Sequence, residues 1–480
     1  MKFSREIEAF IKVFVKDLEE NNVALFAGAG MSKACGYVDW PELLRDIAAE
    51  IGLKVEMEHD LISLAQFHVN ERGGSDGVSR KILEEFSEQA ESSPTHEILA
   101  RLPIRTYWTT NYDSLIEDSL KKAFKVADVK HSPDQLNHVT PKRDAVVYKM
   151  HGDVTFPKKA ILYKQQYERY HHTHERFITA LSGDLVSKTF LFIGFSFSDP
   201  NLDYVLSRLH VGGEGGQKTH YSFLKKESPK RKGEKVDVAA YRTRKQELRV
   251  ADLKRFGIQT LLIDDYPQIP QILEEIENRF RKKTVFISGS AEAFEPWDRN
   301  DAQQFVHSLA LELIRSNLRV VNGFGWGIGS AVINGALEAI YSNPGKHSED
   351  QLVMRPFPQF TANPADLPIL WEQYRHRMIG LAGVAIFVFG NKFGKDGEIV
   401  EANGVIREFE IAVEHGLVPI PIGLTEYAAR SIWNTIQAAP KKYYGDLPWL
   451  PPLIKELGEA KTPRSEIVAK VVRIISQLNK

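Results

Sequence analysis

The chain predicts an α/β protein with two doubly wound parallel-sheet domains, and three observations predict it. Near the start, the apolar run Val23-Ala24-Leu25-Phe26 leads into Gly28-Ala29-Gly30 and then a helical segment. The same strand–glycine–helix pattern begins again at Thr284–Ile287 with Ser288-Gly289-Ser290. Around both points, short apolar runs alternate with amphipathic segments at helical spacing. That is the pattern of strands buried on both faces and joined by crossover helices.

The elements follow in order. Residues 4–20 place Ile7, Phe10, Ile11, Phe14, Val15 and Leu18 on one helical face. The stretch VALFAGAGMS supplies a buried strand and a turn where glycine lets the backbone bend tightly. Helices over 40–52, 60–70, 79–89 and 95–102 form an insertion before the next strand. Strands are then expected near 105–109, 145–150, 189–194, 219–224 and 258–263, with helices near 112–123, 164–184, 200–209 and 237–255. Gly212, Gly213, Gly215 and Gly216 mark a flexible loop, and the basic run Lys225 to Lys235 reads as a solvated one. A connecting helix is expected at 268–281. The second series runs strand 284–287, helix 299–316, strand 318–321, a glycine-rich turn at 323–330, helix 330–342, and strands 352–355, 384–389 and 417–421. The boundary is placed near residue 283, giving domains 1–283 and 284–480.

Composition narrows the function. With 43% hydrophobic and 26% charged residues, the 480-residue chain has the make-up of a soluble globular protein. A net charge of −1 offers no basic field for nucleic acid. Cys35 is the one cysteine, so neither an intrachain disulfide nor a multi-cysteine zinc site can form. The N-terminal segment is polar and amphipathic rather than a signal peptide, and no apolar run reaches the ~20 residues that cross a bilayer. A cytoplasmic protein with no membrane and no metal is expected.

Three short motifs stand out, each after a strand: Gly28-Ala29-Gly30 with Ser32, Thr109-Thr110-Asn111-Tyr112-Asp113, and His151-Gly152-Asp153. Asn111 and Asp113 suit the cap of helix 112–123 as well as they suit a ligand. His151 is one of 15 histidines. Gly194 and Ser196 follow another strand, and Asp199-Pro200 is equally a helix entry. His171, His172, His174 and Glu175 have metal-ligand spacing but also read as a polar helix face.

The order GAG-x-S, T-x-N-x-D, HG resembles the sirtuin NAD-binding domain, over roughly residues 10–265. The resemblance implies that NAD is the substrate and that Asn111 and His151 are catalytic. Asn111 would bind ribose or water through an amide that both donates and accepts. His151 would accept a proton near neutral pH. Gly28, Ala29, Gly30 and Ser32 would meet the pyrophosphate through backbone N–H groups, with Asp113 orienting the ligand or fixing the loop. Gly194 and Ser196 would take the adenosine end, and the continuation FSDPNL resembles the sirtuin-like branch found in bacterial defence proteins. Sirtuin deacylases carry a four-cysteine zinc module, which this chain cannot build. Water is therefore favoured as acceptor, with nicotinamide and ADP-ribose as products.

In the second domain, Gly289, Ser290, Arg375, Lys392 and Glu408 suit the phosphates and ribose of a nucleotide. Together these segments resemble the SLOG family. A sirtuin-like domain followed by SLOG, with LVSKTFLFIGFSFSDPNLDY, DAVVYKMHGD and VINGALE, resembles the Thoeris anti-phage effectors. That resemblance implies activation by a cyclic ADP-ribose isomer made by a TIR-domain partner, with Arg375, Lys392 and Glu408 contacting the ligand. It also implies a homo-oligomer, expected as a tetramer, with filaments in the active state. The competing readings are a zinc-free sirtuin that transfers acyl or ADP-ribosyl groups to protein, and a non-enzymatic nucleotide sensor. A SLOG phosphoribohydrolase is a third, but its P-G-G-x-G-T-x-x-E motif is missing.

Overall fold

The apolar run Val23–Ala27 forms β1, buried along its whole length. This computed structural model describes residues 3–479 apart from 89, 198, 212–217, 229–233, 359, 361, 446 and 460–462. Gly212, Gly213, Gly215 and Gly216 therefore lie outside the described residues. The chain divides into two compact units, Met1–Glu277 and Asn278–Lys480.

In the first unit, β1 is joined by β2 (Thr106–Thr109), β3 (Ala127–Lys130), β4 (Ala145–Lys149), β5 (Thr189–Ile193), β6 (His220–Lys225) and β7 (Ile258–Ile263). Among the described residues they form a seven-stranded sheet in the order β3-β4-β2-β1-β5-β6-β7. Every pairing is parallel. The chain leaves β1 towards β2 on one side and later returns to β5 on the other. Strand order thus reverses between β1 and β5, and the carboxyl ends of strands at such a switch point are where doubly wound sheets bind ligands.

The first helix, Arg5–Glu19, buries the six apolar residues its spacing predicts. The insertion between β1 and β2 consists of helices Trp40–Glu50, Leu61–Arg72, Asp76–Phe86 and Pro94–Arg101. Asp39 and Glu42 form a reciprocal capping box that fixes where the first of these begins. The helix expected over 164–184 is two helices, Lys164–Thr173 and Glu175–Ser187. They part at His174, whose ring stacks on Tyr170 at 4.4 Å between centroids. The structure adds β3, whose Asp128 and Lys130 are buried against each other at 2.7 Å.

The second unit contains β8 (Thr284–Ser290), β9 (Arg319–Asn322), β10 (Leu352–Met354), β11 (Val384–Phe389), β12 (Asn391–Phe393), β13 (Ile399–Glu401) and β14 (Val418–Pro421). A five-stranded parallel sheet has the order β10-β9-β8-β11-β14, and β12 and β13 form a separate antiparallel pair. Ser288, Gly289 and Ser290 belong to β8 rather than to a turn, because all three stay in register with Phe387, Val388 and Phe389 of β11. A Cβ on Gly289 would lie 2.2 Å from the Val388 carbonyl oxygen, so only glycine fits there. The structure also adds helices Tyr427–Ala438, Pro440–Tyr444, Leu450–Glu456 and Arg464–Leu478.

Buried His220 on β6 joins the first sheet through its ring, with Nδ1 accepting the Phe190 N–H of β5 at 3.2 Å. Burial, aided by Lys218, pushes its pKa down to about 4. The folded chain therefore refuses a proton that the unfolded chain binds below about pH 6.5. Stability is full above that pH, falls as pH drops, and stops falling on this account near pH 4. The loss from this ring is roughly 3 kcal/mol. In urea melts from pH 7 to 4, His220→Gln is expected to show a shallower decline than wild type. Parallel declines would contradict the assignment.

Candidate active site

The carboxyl ends of β1 and β5 are locked together by glycine. The Gly28 N–H donates to the Ile193 carbonyl and the Gly30 N–H to the Gly194 carbonyl, both at 2.9 Å. A Cβ on Gly28 would lie 2.4 Å from the Gly194 oxygen, and one on Gly194 would lie 2.4 Å from the Met31 nitrogen. Gly194 also has φ +65°, in the left-handed region. Two N–H groups expected to face a phosphate are thus already donated to the last residue of β5 and the first residue after it. Ala29 and Ser32 line a cleft together with the loop after β2. Gly194 and exposed Ser196 lie in the loop after β5, where Gly194 packs against the Gly28 and Gly30 backbone, and neither is among the residues lining that cleft.

Asn111 is set by a chain of hydrogen bonds across β1 and β2. The Thr109 hydroxyl donates to the Ala27 carbonyl and accepts the Asn111 N–H, both at 3.0 Å. The Asn111 amide nitrogen donates to the Gly28 carbonyl at 3.0 Å and to Ser32 Oγ at 2.7 Å. Ser32 Oγ donates in turn to Asp113 Oδ2 at 2.6 Å. A carbonyl only accepts, so the amide orientation is forced. Asn111 Oδ1 is left without a hydrogen-bond partner among the described residues. The narrow cleft beside it is lined by Ala29, Ser32, Trp40, Leu43, Phe86 and Asn111. Asp113 Oδ1 accepts the Leu115 N–H at 3.1 Å, so Asp113 both starts the helix Leu115–Lys122 and anchors the chain to Asn111.

His151 follows β4 and is 1% exposed. Its ring meets Tyr167 and Tyr170 edge-on, with centroids at 5.4 and 6.5 Å. Nε2 lies 3.1 Å from Asp199 Oδ2 in the loop after β5, although neither ring nitrogen is aligned in a hydrogen bond. The other Asp199 oxygen accepts the N–H groups of Asn201 and Leu202 at 2.9 and 3.1 Å, capping the helix Pro200–Val211. Burial alone would raise the Asp199 carboxyl, but His151 and these N–H groups hold it below the ordinary value. Of the suggested metal ligands, His174 stacks on Tyr170 instead, and burial with neighbouring His151 pushes it down to about 4. Among the described residues, no three His, Cys, Asp or Glu side chains are grouped to hold a metal.

Sequence reasoning missed Lys149. Its ammonium is fully buried. It donates to the carbonyls of Tyr112 and Asp113 at 3.1 and 2.6 Å, lies 3.1 Å from Glu117, and pairs with Asp153. One side chain thereby ties the loop of Asn111 to the loop of His151. The available signal was a charge inside the otherwise apolar run AVVYKM. Burial pushes the Glu117 carboxyl up against the pull of Lys149, whereas Lys149 holds Asp153 below its ordinary value despite burial.

In the second unit, Arg375, Lys392 and Glu408 gather around the helix Asn403–Glu414. Lys392 donates to Asn403 Oδ1 at 2.6 Å, and a Cβ on Gly404 would lie 3.3 Å from Arg375 Nη2. Arg375 Nε lies 3.7 Å from Glu408, is buried, and has no hydrogen-bond partner. Its guanidinium also lies over the Phe357 ring at 5.1 Å. Ser288 Oγ donates to Glu408 at 2.5 Å, yet burial still pushes that carboxyl up. Ser290 Oγ donates to the Asn391 carbonyl at 2.9 Å, and Gly289 is wedged against β11.

Comparison with known proteins assigns relatives to both units. Residues 105–250 match the SIR2-like domain, and residues 268–478 match the Sir2- and TIR-associating SLOG family. A protein named NAD(+) hydrolase ThsA from Bacillus cereus (strain MSX-D12) is 47% identical over 481 residues, covering 100% of both chains. Proteins of that name from Cytobacillus dafuensis and Acinetobacter baumannii (strain 532279) are 44% and 43% identical, covering 98% and 99% of this chain and 96% and 98% of theirs.

Removing the Lys149 ammonium would leave Glu117 and Asp153 buried without their cation. Breaking a buried pair in this way typically costs about 3–5 kcal/mol. Lys149→Met is therefore expected to unfold at markedly lower urea. Wild-type unfolding would show that the ammonium does not hold the two loops.

Proposed function

The chain belongs to the NAD(+) hydrolase ThsA family, and from that premise we propose how its first unit breaks NAD+ and what governs the reaction. The catalytic work is assigned to Asn111 and His151 within residues 1–283. In NAD+ the nicotinamide is a pyridinium cation. Breaking the bond from ribose C1′ to nitrogen returns the electron pair to nicotinamide, which leaves as a neutral molecule. The transition state is oxocarbenium-like, so positioning matters more than covalent help. Water oxygen bonds to C1′, and one water proton passes to His151 and then to solvent. The balance is NAD+ plus water giving nicotinamide, ADP-ribose and a proton.

One observation carries the reading. The Asn111 amide nitrogen is fixed by Gly28 and Ser32, and Asn111 lines the cleft, so its remaining oxygen can accept from a ribose hydroxyl or from water. Gly28, Ala29, Gly30, Ser32, Asp113, Gly194 and Ser196 frame the substrate. Ala29 and Ser32 line the cleft wall, and the glycines shape it.

Residues 284–480 are proposed to bind a cyclic ADP-ribose isomer through Gly289, Ser290, Arg375, Lys392 and Glu408. The isomer would come from a TIR-domain partner in Thoeris anti-phage defence, and the working form would be a homo-oligomer in the cytoplasm. The match to a Sir2- and TIR-associating family supports this, as does the half-paired cation Arg375. A signal that moves the equilibrium from 1:99 to 99:1 must prefer the active state ~10⁴-fold, which needs several charge-assisted contacts.

The test is nicotinamide release from NAD+ by the full chain, titrated with cyclic ADP-ribose isomers. Asn111→Ala and His151→Ala are each expected to lower the rate at least ~10²-fold with unchanged circular dichroism. Arg375→Ala is expected to move the response to much higher signal concentration. Wild-type rates in either catalytic variant would remove that residue from the site. A wild-type titration curve for Arg375→Ala would remove Arg375 from the signal site.

A further inference from the structure

Asp199 has two oxygens with different tasks. One is held by the N–H groups of Asn201 and Leu202 at the start of the helix Pro200–Val211. The other points at His151 Nε2 from 3.1 Å. We propose that Asp199 is a positioning residue that keeps a proton on His151 Nε2, so that Nδ1 is the atom that takes the proton during hydrolysis. The assignment rests on the NAD+ hydrolysis proposed above.

An ionised carboxylate only accepts, so the ring nitrogen facing it must be the one that carries hydrogen. The separation is of hydrogen-bond length and only the angle is poor, as is common before substrate tightens a catalytic site. Nδ1 is buried and has no partner. A polar atom left so is costly unless a ligand completes it, and a donor on bound substrate or water would do so. The rings around the pair carry no charge at neutral pH, and the charges flanking His151 in the chain, Lys149 and Asp153, are paired with each other. Burial raises Tyr112, Tyr167 and Tyr170 and pushes His174 down to about 4. Burial alone would raise the Asp199 carboxyl, and His151 with the N–H groups of Leu202 and Asn201 holds it below its ordinary value.

A role confined to helix capping predicts different behaviour. Asn caps helices about as well as Asp, so Asp199→Asn should fold. Its carbonyl oxygen would keep the cap and turn the amide nitrogen towards His151. That nitrogen donates to Nε2 and drives the ring proton to Nδ1, where it blocks the base. The expected result is a kcat loss of ~10²–10⁴-fold with KM for NAD+ little changed. Asp199→Ser, which caps without a carboxylate, should also lose kcat.

The direct readout is ¹⁵N magic-angle-spinning NMR of the histidine-labelled full chain, with the His151 signals identified by their loss in His151→Gln. The wild type should show Nε2 protonated and Nδ1 bare, and Asp199→Asn the reverse. A wild-type ring protonated on Nδ1, or Asp199→Asn with wild-type kcat, would overturn the proposal. Because the tautomer is read without turnover, a wild-type chain that left NAD+ intact would defeat the hydrolysis reading alone. The spectrum would still judge the Asp199–His151 pair.

Discussion

The hydrogen bond from the Asn111 amide to the Gly28 carbonyl is the contact on which the first unit's site depends. It forms because β1 and β2 are parallel neighbours in register, Ala27 beside Thr109, so their following loops emerge side by side. Thr109 fastens one loop to the other through its hydroxyl, and Ser32 and Asp113 complete the anchor. On the far side, the glycines after β1 and β5 bring a third loop within backbone contact. Lys149 joins the fourth loop from beneath. Four chain segments distant in sequence thus become one rigid rim, and preorganised polar groups are what a dissociative bond cleavage needs from a protein.

The second unit uses the same sheet principle with a different charge pattern. In the first unit, the buried lysine is well supplied with acceptors. In the second, Arg375 and Glu408 face each other at 3.7 Å with the guanidinium Nε unsatisfied. A cation held short of its acceptors gains more from a bound anion than one already saturated. That contrast fits a structural role for Lys149 and a ligand-responsive one for Arg375.

Much of this was legible in the sequence because apolar runs and glycine turns report parallel strands directly. β1, the helical insertion and the alternation of strands and helices rest on such local signals. So does the placement of Asn111, Asp113 and His151 after strands. What stayed hidden depends on partners far along the chain. β3 carries buried Asp128 and Lys130, so its charges disguised a strand. Lys149 looked like an interruption of an apolar run, and only the fold shows the carbonyls it meets. The break at His174 coincides with the stacking of its ring on Tyr170. The glycines after β1 looked built for a ligand, whereas the N–H groups of Gly28 and Gly30 are satisfied by the last residue of β5 and the first residue after it. Local pattern cannot say which of two backbones a glycine admits.

On the proposed mechanism this rim delivers water, not a protein side chain, to the ribose of NAD+. The most direct measurement follows NAD+ labelled in the nicotinamide ring, with the purified full chain, a cyclic ADP-ribose isomer and no other protein. Nicotinamide and ADP-ribose are expected to appear one for one until NAD+ is gone. NAD+ that stays intact until an acyl-lysine peptide is added, with the ADP-ribose then carrying the acyl group, would contradict it.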